Sequence, residues 1–188
     1  MPPINLHSFL LRSRANGPGE RAVVWVQGCN RRCAGCFNPE TQPFATKELV
    51  TVEELENRIA VIKGISGVTF SGGEPFEQAS QLAELAKKIH GLGLTVVCFT
   101  GYTLEQLREA NRKDWNAILQ EVDLLIDGTF IESERCAEPY RGSANQKLHF
   151  LSGRIRPEEV AEAHQTAELT LSLDGSLTAT GFPEMEKI

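Results

Sequence analysis

No apolar run in this sequence approaches the roughly 20 residues that a membrane-spanning helix needs. The first residues, Met1-Pro2-Pro3-Ile4-Asn5-Leu6-His7, carry neither the basic stretch nor the apolar core of a secretory signal. A cytoplasmic protein with no membrane partner is therefore expected. Cysteine is scarce, with five in 188 residues, an odd number, three of them crowded between positions 29 and 36. Disulfide frameworks use even numbers of dispersed cysteines in exported chains, so this distribution argues for free thiols in a reducing compartment. Positive charge is outnumbered too: 19 Lys and Arg against 25 Asp and Glu leave a net charge of −6. With a pI near 5.3, a broad nucleic-acid footprint is disfavoured. Internal repeats and low-complexity tracts are absent, and the length suits a single domain over residues 1–188.

What the chain does have is an alternation of apolar runs and capped amphipathic stretches. Residues 4–11, of mixed polarity, read as a strand or extended lead-in, and Asn16-Gly17-Pro18-Gly19 reads as a turn. Residues 22–26 are a near-continuous apolar run, the pattern of a strand covered on both faces in a parallel sheet. Thr51-Val52-Glu53-Glu54 has the form of a capping box, with Val52, Leu55, Ile59 and Ile62 at helical spacing behind it. Strands are predicted at 68–70, 95–99, 123–126 and 147–151, and a helix over 76–90 in which His90 suits the dipole of the last turn. A second capping box at Thr103-Leu104-Glu105-Gln106 opens another helix, continued by a helical piece at 115–119, and a short helix is predicted at 157–163. Residues 168–173 and 176–180, around Asp174-Gly175, form the pattern of a C-terminal β-hairpin. Strand followed by helix, several times over, predicts an α/β protein with a mainly parallel sheet.

The unusual residues all follow strands. The cysteine loop, Ser71-Gly72-Gly73-Glu74-Pro75, Thr100-Gly101-Tyr102-Thr103 and Asp127-Gly128-Thr129-Phe130 each begin where a predicted strand ends. Ligands in parallel sheets and barrels bind at the carboxyl ends of the strands, so these segments are expected to converge on one rim.

Cys29-x3-Cys33-x2-Cys36 offers three thiolates where a fully protein-ligated four-iron cluster takes four. One metal position would remain open for a small molecule, which leans toward chemistry rather than structure. A zinc site completed by a distant histidine, a disulfide, or unligated thiols are the blander alternatives. At the next turn, Gly72 and Gly73 allow tight bending or close approach of a ligand to the backbone, and Glu74 offers a carboxylate to a cationic group; an ordinary strand-to-helix turn is the alternative. Asp127 is a candidate for contacting a ligand or cation, with capping of the next segment the commoner role. Cys98, inside an apolar strand, reads as an inert buried thiol, and Cys136 as a loop thiol with no visible partner. Arg31 and Arg32 either steer an acidic electron donor or form a solvated loop pair.

Cys29-x3-Cys33-x2-Cys36 followed by Gly72-Gly73-Glu74-Pro75 resembles the radical S-adenosylmethionine superfamily. Asn16-Gly17-Pro18-Gly19-Glu20-Arg21, Gln27-Gly28-Cys29 and Ala34-Gly35-Cys36-Phe37-Asn38-Pro39-Glu40 resemble its activating enzymes of glycyl-radical enzymes, most of all the branch acting on anaerobic ribonucleoside-triphosphate reductase. Residues 123–130 and 140–146 resemble that branch too. The resemblance covers a core of about 16–151 and leaves an extension of about 154–188 unmatched. It implies an incomplete (β/α) barrel in which Cys29, Cys33 and Cys36 hold three irons of a [4Fe-4S] cluster and the fourth binds S-adenosylmethionine. Gly72, Gly73 and Glu74 would then contact the amino group of that cofactor, and Gly35, Phe37 and Asn38 would lie along its adenine, with Asp127 also at the cofactor. It further implies a 5′-deoxyadenosyl radical, supplied by the cofactors rather than by any acid, base or nucleophile of the chain. The partners implied are a glycyl-radical enzyme and a flavodoxin- or ferredoxin-type electron donor. Two other functions fit the residues: a radical enzyme acting on a small molecule, as 7-carboxy-7-deazaguanine synthases do, and a metal-binding or electron-transfer module without catalysis.

Overall fold

The computed structural model describes residues 1–161, 163, 167–171 and 177–181. Strand β1 (Ile4–Ser13) pairs antiparallel with β2 (Arg21–Val26) on one side and with the short β3 (Glu48–Val50) on the other. Then come α1 (Val52–Ala60), β4 (Gly67–Gly72), α2 (Ala79–Gly91), β5 (Thr95–Phe99), α3 (Leu104–Ala110), α4 (Lys113–Leu119) and β6 (Leu124–Asp127). Strand β7 (Lys147–Phe150) and helix α5 (Pro157–Ala161) follow, and β8 (Ala167–Leu171) pairs antiparallel with β9 (Leu177–Gly181) as a separate ribbon. The expected Asp174-Gly175 turn lies outside the described residues.

The seven-stranded sheet has the order β3-β1-β2-β4-β5-β6-β7. Its central strands β2, β4, β5 and β6 are parallel, as their apolar runs predict, and antiparallel strands flank them. Each crossover from β2 to β4 to β5 to β6 steps in the same direction, so right-handed connections place every crossover helix on the same face. Ala22, Val24, Phe70, Cys98 and Leu125 point to that face and meet Leu55, Leu82, Leu85 and Ile118 of the helices. Helix α2 begins at Ala79 and α4 at Lys113, whereas the two helices with capping boxes begin where expected: the Thr51 hydroxyl accepts from the Glu54 amide at 3.1 Å, and Glu54 accepts in return from the Thr51 amide at 2.8 Å. Thr103 and Gln106 repeat that arrangement at α3, which ends on Asn111 at φ 44°. The 10-residue length of β1 and the existence of β3 were not legible in their mixed polarity. Their buried apolar residues are only Ile4, Leu6 and Val50, too few to read as an apolar run.

The opposite face carries alternate residues of the same strands. Val97, Leu124 and Ile126 pack there with Tyr140 and Ile155. At its lower end lies Arg21, fully buried, at the close of the Asn16-Gly17-Pro18-Gly19-Glu20-Arg21 segment. Its guanidinium donates to Thr69 Oγ1, the Pro18 carbonyl, Thr95 Oγ1, the Val68 carbonyl and the Thr95 carbonyl at 2.8–3.1 Å. Burial lowers its pKa to about 10. A Cβ at Gly17 would stand 2.9 Å from Arg21 Cδ, so the glycine of that turn makes room for the side chain. Among the described residues no helix is long and apolar enough to cross a membrane.

Candidate iron–sulfur and cofactor site

The cysteine loop is tied at its neck before it opens. Where β2 ends, Gly28 (φ 101°) donates to the Thr41 carbonyl at 2.8 Å and Cys29 to the Gln42 carbonyl at 2.9 Å. Buried Gln27 reinforces this closure, its Nε2 donating to the Pro43 carbonyl at 2.6 Å and to the Glu40 carbonyl at 3.2 Å. Gln78 Nε2 donates to the Gln27 carbonyl at 3.0 Å. Residues 29–38 therefore project as a loop whose ends cannot separate.

The paired glycines lie against that neck. Gly73 donates to the Val26 carbonyl and Glu74 to the Gly28 carbonyl, both at 2.8 Å. A Cβ at Gly73 would stand 2.3 Å from the Gly28 carbonyl oxygen, closer than atoms approach, and Gly72 holds φ 101°. Backbone contact between the two segments thus needs glycine at both positions. Glu74 is buried, and its carboxylate accepts from the Phe76 amide at 3.1 Å, the Thr100 hydroxyl at 2.8 Å and the Gly101 amide at 2.9 Å. Burial outweighs those donors and pushes its carboxyl up to about 7. All four expected rim segments are in direct contact: the cysteine loop, the paired glycines and Thr100-Gly101 through these bonds, and the fourth through Thr129 Oγ1, which donates to the Gly101 carbonyl at 2.9 Å and accepts from Arg31 at 2.8 Å.

One cleft opens there, and Cys29, Cys33, Cys36, Gly72, Gly73 and Glu74 all line it. Trp25 and Phe99 line it from the face of the sheet opposite α1 to α4, and Phe37 and Phe130 line it beside them. Their rings meet edge-on at 4.8 Å, with the Arg135 guanidinium 5.0 Å from the Phe37 ring centre. All three thiols are free and half-buried. Amides aim at two of the sulfurs, Arg31 N–H at Cys29 Sγ and Asn38 N–H at Cys36 Sγ, each at 3.4 Å. Such hydrogen bonds are among the levers that tune an iron–sulfur cluster. Burial pushes the Cys29 thiol up, and the Arg31 amide works against it.

Among the described residues no three His, Cys, Asp or Glu side chains converge tightly on a single ion. Three thiols lining one cleft are the donor type that holds an iron–sulfur cluster. The donor set fits a four-iron cluster with one iron left to a ligand from outside the chain.

Not every expected residue reaches the cleft. Phe37 and Asn38 line it, whereas Gly35 is exposed at φ 69° and faces the Glu132 carboxylate. Asp127 is committed elsewhere. Its Oδ2 accepts from the Leu104 amide at 2.6 Å, at the start of α3, and pairs with His149 Nε2 at 2.8 Å, while Oδ1 accepts from the Lys147 amide at 3.2 Å. Gly128 and Phe130 of the same segment line the cleft instead. Arg31 is not a solvated charge: it donates to Thr129 Oγ1 at 2.8 Å, lies 4.6 Å from the Tyr102 ring centre and lines the cleft, with its Nε buried and unpartnered. His90 bridges Glu121 and Asp123 instead of serving only the helix dipole. Cys98 is buried as expected, and Cys136 has a partner after all, lying 3.8 Å from the Arg141 carbonyl. Asn16 and Gln146 line the cleft from segments that carried the resemblance but were not read as site residues, and Trp25 lines it with no motif; strand alternation placing Trp25 opposite Val24 and Val26 was the available signal.

Fold and site together define a single-cluster iron–sulfur protein, and residues 15–149 match the family described as a 4Fe-4S single cluster domain. The anaerobic ribonucleoside-triphosphate reductase-activating protein of Vibrio cholerae is 32% identical over 157 residues, covering 78% of this chain and 97% of that one. Its Escherichia coli namesake is 29% identical over 163 residues, covering 79% of this chain and 99% of that one. The pyruvate formate-lyase-activating enzyme of Clostridium pasteurianum is 34% identical over 127 residues, covering 64% of this chain and 50% of that one. The chain belongs to the family of these activating proteins, within the radical S-adenosylmethionine superfamily.

Proposed function

We propose that this chain is an activating enzyme that installs a glycyl radical on a partner such as an anaerobic ribonucleotide reductase, using a [4Fe-4S] cluster and S-adenosylmethionine. One observation carries the reading: Cys29, Cys33 and Cys36 line the same cleft as Gly72, Gly73 and Glu74 at the carboxyl ends of the parallel strands. The three thiolates hold the cluster, and the paired-glycine turn receives the amino group of the cofactor beside the buried Glu74 carboxyl. Phe37 and Asn38, with Gly35 shaping the loop between the cysteines, border the adenine. Asp127 acts at one remove, holding the start of α3 beneath the Thr100–Thr103 turn.

Held by Cys29, Cys33, Cys36 and the paired-glycine turn, cluster and cofactor would supply one-electron radical chemistry directed at a partner glycine. The chain's own residues bind, orient and exclude water; Trp25, Phe99, Phe37 and Phe130 wall the space with side chains that offer no readily transferred proton. With α1 to α4 on one face, the sheet reads as an incomplete barrel whose other face, at the cleft, admits both cofactor and partner. The electron comes from a flavodoxin- or ferredoxin-type donor, and the setting is the cytoplasm, where free thiols persist.

The test is anaerobic reconstitution with iron and sulfide, followed by measurement of 5′-deoxyadenosine with reductant and of a glycyl signal by electron paramagnetic resonance with the partner present. Cys33→Ala should lose cluster absorption and cofactor cleavage together. A variant that still cleaves S-adenosylmethionine refutes the ligand assignment, and a wild-type protein that cleaves it but never yields the glycyl signal refutes the activase reading.

A further inference from the structure

The ribbon of β8 and β9 is inside out. Its register pairs Ala167 with Gly181, Leu169 with Ala179 and Leu171 with Leu177 on one face, and Glu168 with Thr180 on the other. In an ordinary antiparallel ribbon the apolar face packs on the body and the polar face meets water. Here the polar face meets the body. Glu168 accepts from the Arg14 amide at 2.8 Å and from the Ser13 hydroxyl, and Asn16 Nδ2 donates to Thr180 Oγ1 at 2.8 Å. The apolar face is left outside: Leu169, Leu171 and Leu177 are 69%, 72% and 65% exposed. A one-residue slip in register would bury them, so the hydrogen bonds to Ser13, Arg14 and Asn16 hold them out.

Position ties this strip to the cleft. Thr180 and Gly181, at the end of β9, line the same cleft as the three cysteines, so the leucines extend outward from its rim. The ribbon also lies beyond residue 149, where the match to the 4Fe-4S family ends. We infer that the outward face of β8 and β9 is a docking strip for the polypeptide whose glycine enters the cleft, a glycyl-radical partner that presents an apolar surface beside that glycine. This rests on the activase reading. A second copy of this chain is the less fitting occupant. Three leucines and two alanines fall well short of the ~800 Å² per partner of a standard stable interface, whereas the strip and the cleft rim together suit a partner that must dock, react and leave.

The experiment uses the full-length, anaerobically reconstituted protein. Leu169→Ser, Leu171→Ser and Leu177→Ser combined should raise the half-saturating concentration of the partner about tenfold, read as glycyl signal against partner concentration. Partner-free formation of 5′-deoxyadenosine should stay as in the wild type, because none of the three lines the cleft. A benzophenone amino acid in place of Leu171 should cross-link to the partner, and one in place of Val61, exposed at the end of α1, should not. Unchanged half-saturation, or equal cross-linking from both positions, overturns the inference. So does a triple variant that dissociates a wild-type dimer yet activates the partner at wild-type concentrations. Failure of the wild type itself to give any glycyl signal removes the activase reading, and the docking strip with it.

Discussion

Gly73 shows how little space separates the two halves of the site. Its amide is bonded to Val26 and its Cα faces the Gly28 carbonyl, so the Gly73→Ala methyl would stand 2.3 Å from that oxygen and 2.9 Å from the Thr41 carbonyl. The substitution should cost about 1–3 kcal/mol and push the cysteine loop off the paired-glycine turn, lowering iron bound per chain after reconstitution; full iron loading would show that the contact is dispensable. Glu74 makes a second prediction, in pH. Burial raises its carboxyl from 4.5 to about 7, so between those values the folded chain binds more protons at this site than the unfolded chain does. Its contribution to stability is therefore fully present below about pH 4.5 and is lost as pH rises to about 7, by up to roughly 3 kcal/mol. Urea melts of the cluster-free protein should show this slope, and Glu74→Gln should flatten it; an equal slope in the variant would assign the dependence to another group. The cysteine spacing and the need for flexibility at Gly72 and Gly73 were readable from residue type alone. The carbonyl that forbids a side chain at Gly73 was not, because it belongs to a residue 45 positions earlier.

At the scale of elements, capping chemistry was legible and ligand chemistry at strand ends was not. Thr51 and Glu54, or Thr103 and Gln106, are neighbours along the chain and announce their helices wherever the helices then pack. Asp127 closes β6 at the rim where ligands are expected, yet it is consumed by the Leu104 amide and His149, from α3 and β7. Only the meeting of three elements decides between those roles. Asp127→Asn should therefore weaken the start of α3 and the β6–β7 edge, costing about 1–2 kcal/mol in a urea melt. Affinity for S-adenosylmethionine in the reconstituted protein should be unchanged; a tenfold loss with stability intact would return Asp127 to the cofactor. Residues 4–11 lie within β1, as expected, whereas the short β3 escaped prediction for a related reason: three residues at the sheet edge bury only Val50, and their identity depends on the strand they meet.

Across the whole molecule, the seven-stranded sheet and the ribbon are separate pieces of hydrogen-bonded structure, joined through side chains such as Glu168 and Asn16. Ending the chain after Ala163 should leave far-UV circular dichroism of the sheet and helices, cooperative unfolding and iron loading near wild-type values, with a loss of only about 1–3 kcal/mol for the missing hydrogen bonds. Collapse of the shortened chain would mean that the ribbon is part of the core. The amino-acid sequence by itself determined the alternation of strand and helix, the capped helix starts, the three-thiol loop and the rim on which it would fall, because each depends on residues close together along the chain or on the fixed hand of β-α-β connections. Tertiary structure alone decided that the paired glycines lie on the carbonyls of the cysteine loop, that Asp127 turns away from the cleft, and that the last ribbon faces its leucines outward. Those outcomes are set by which surfaces meet, and neither periodicity nor spacing along one segment records the surface waiting on another.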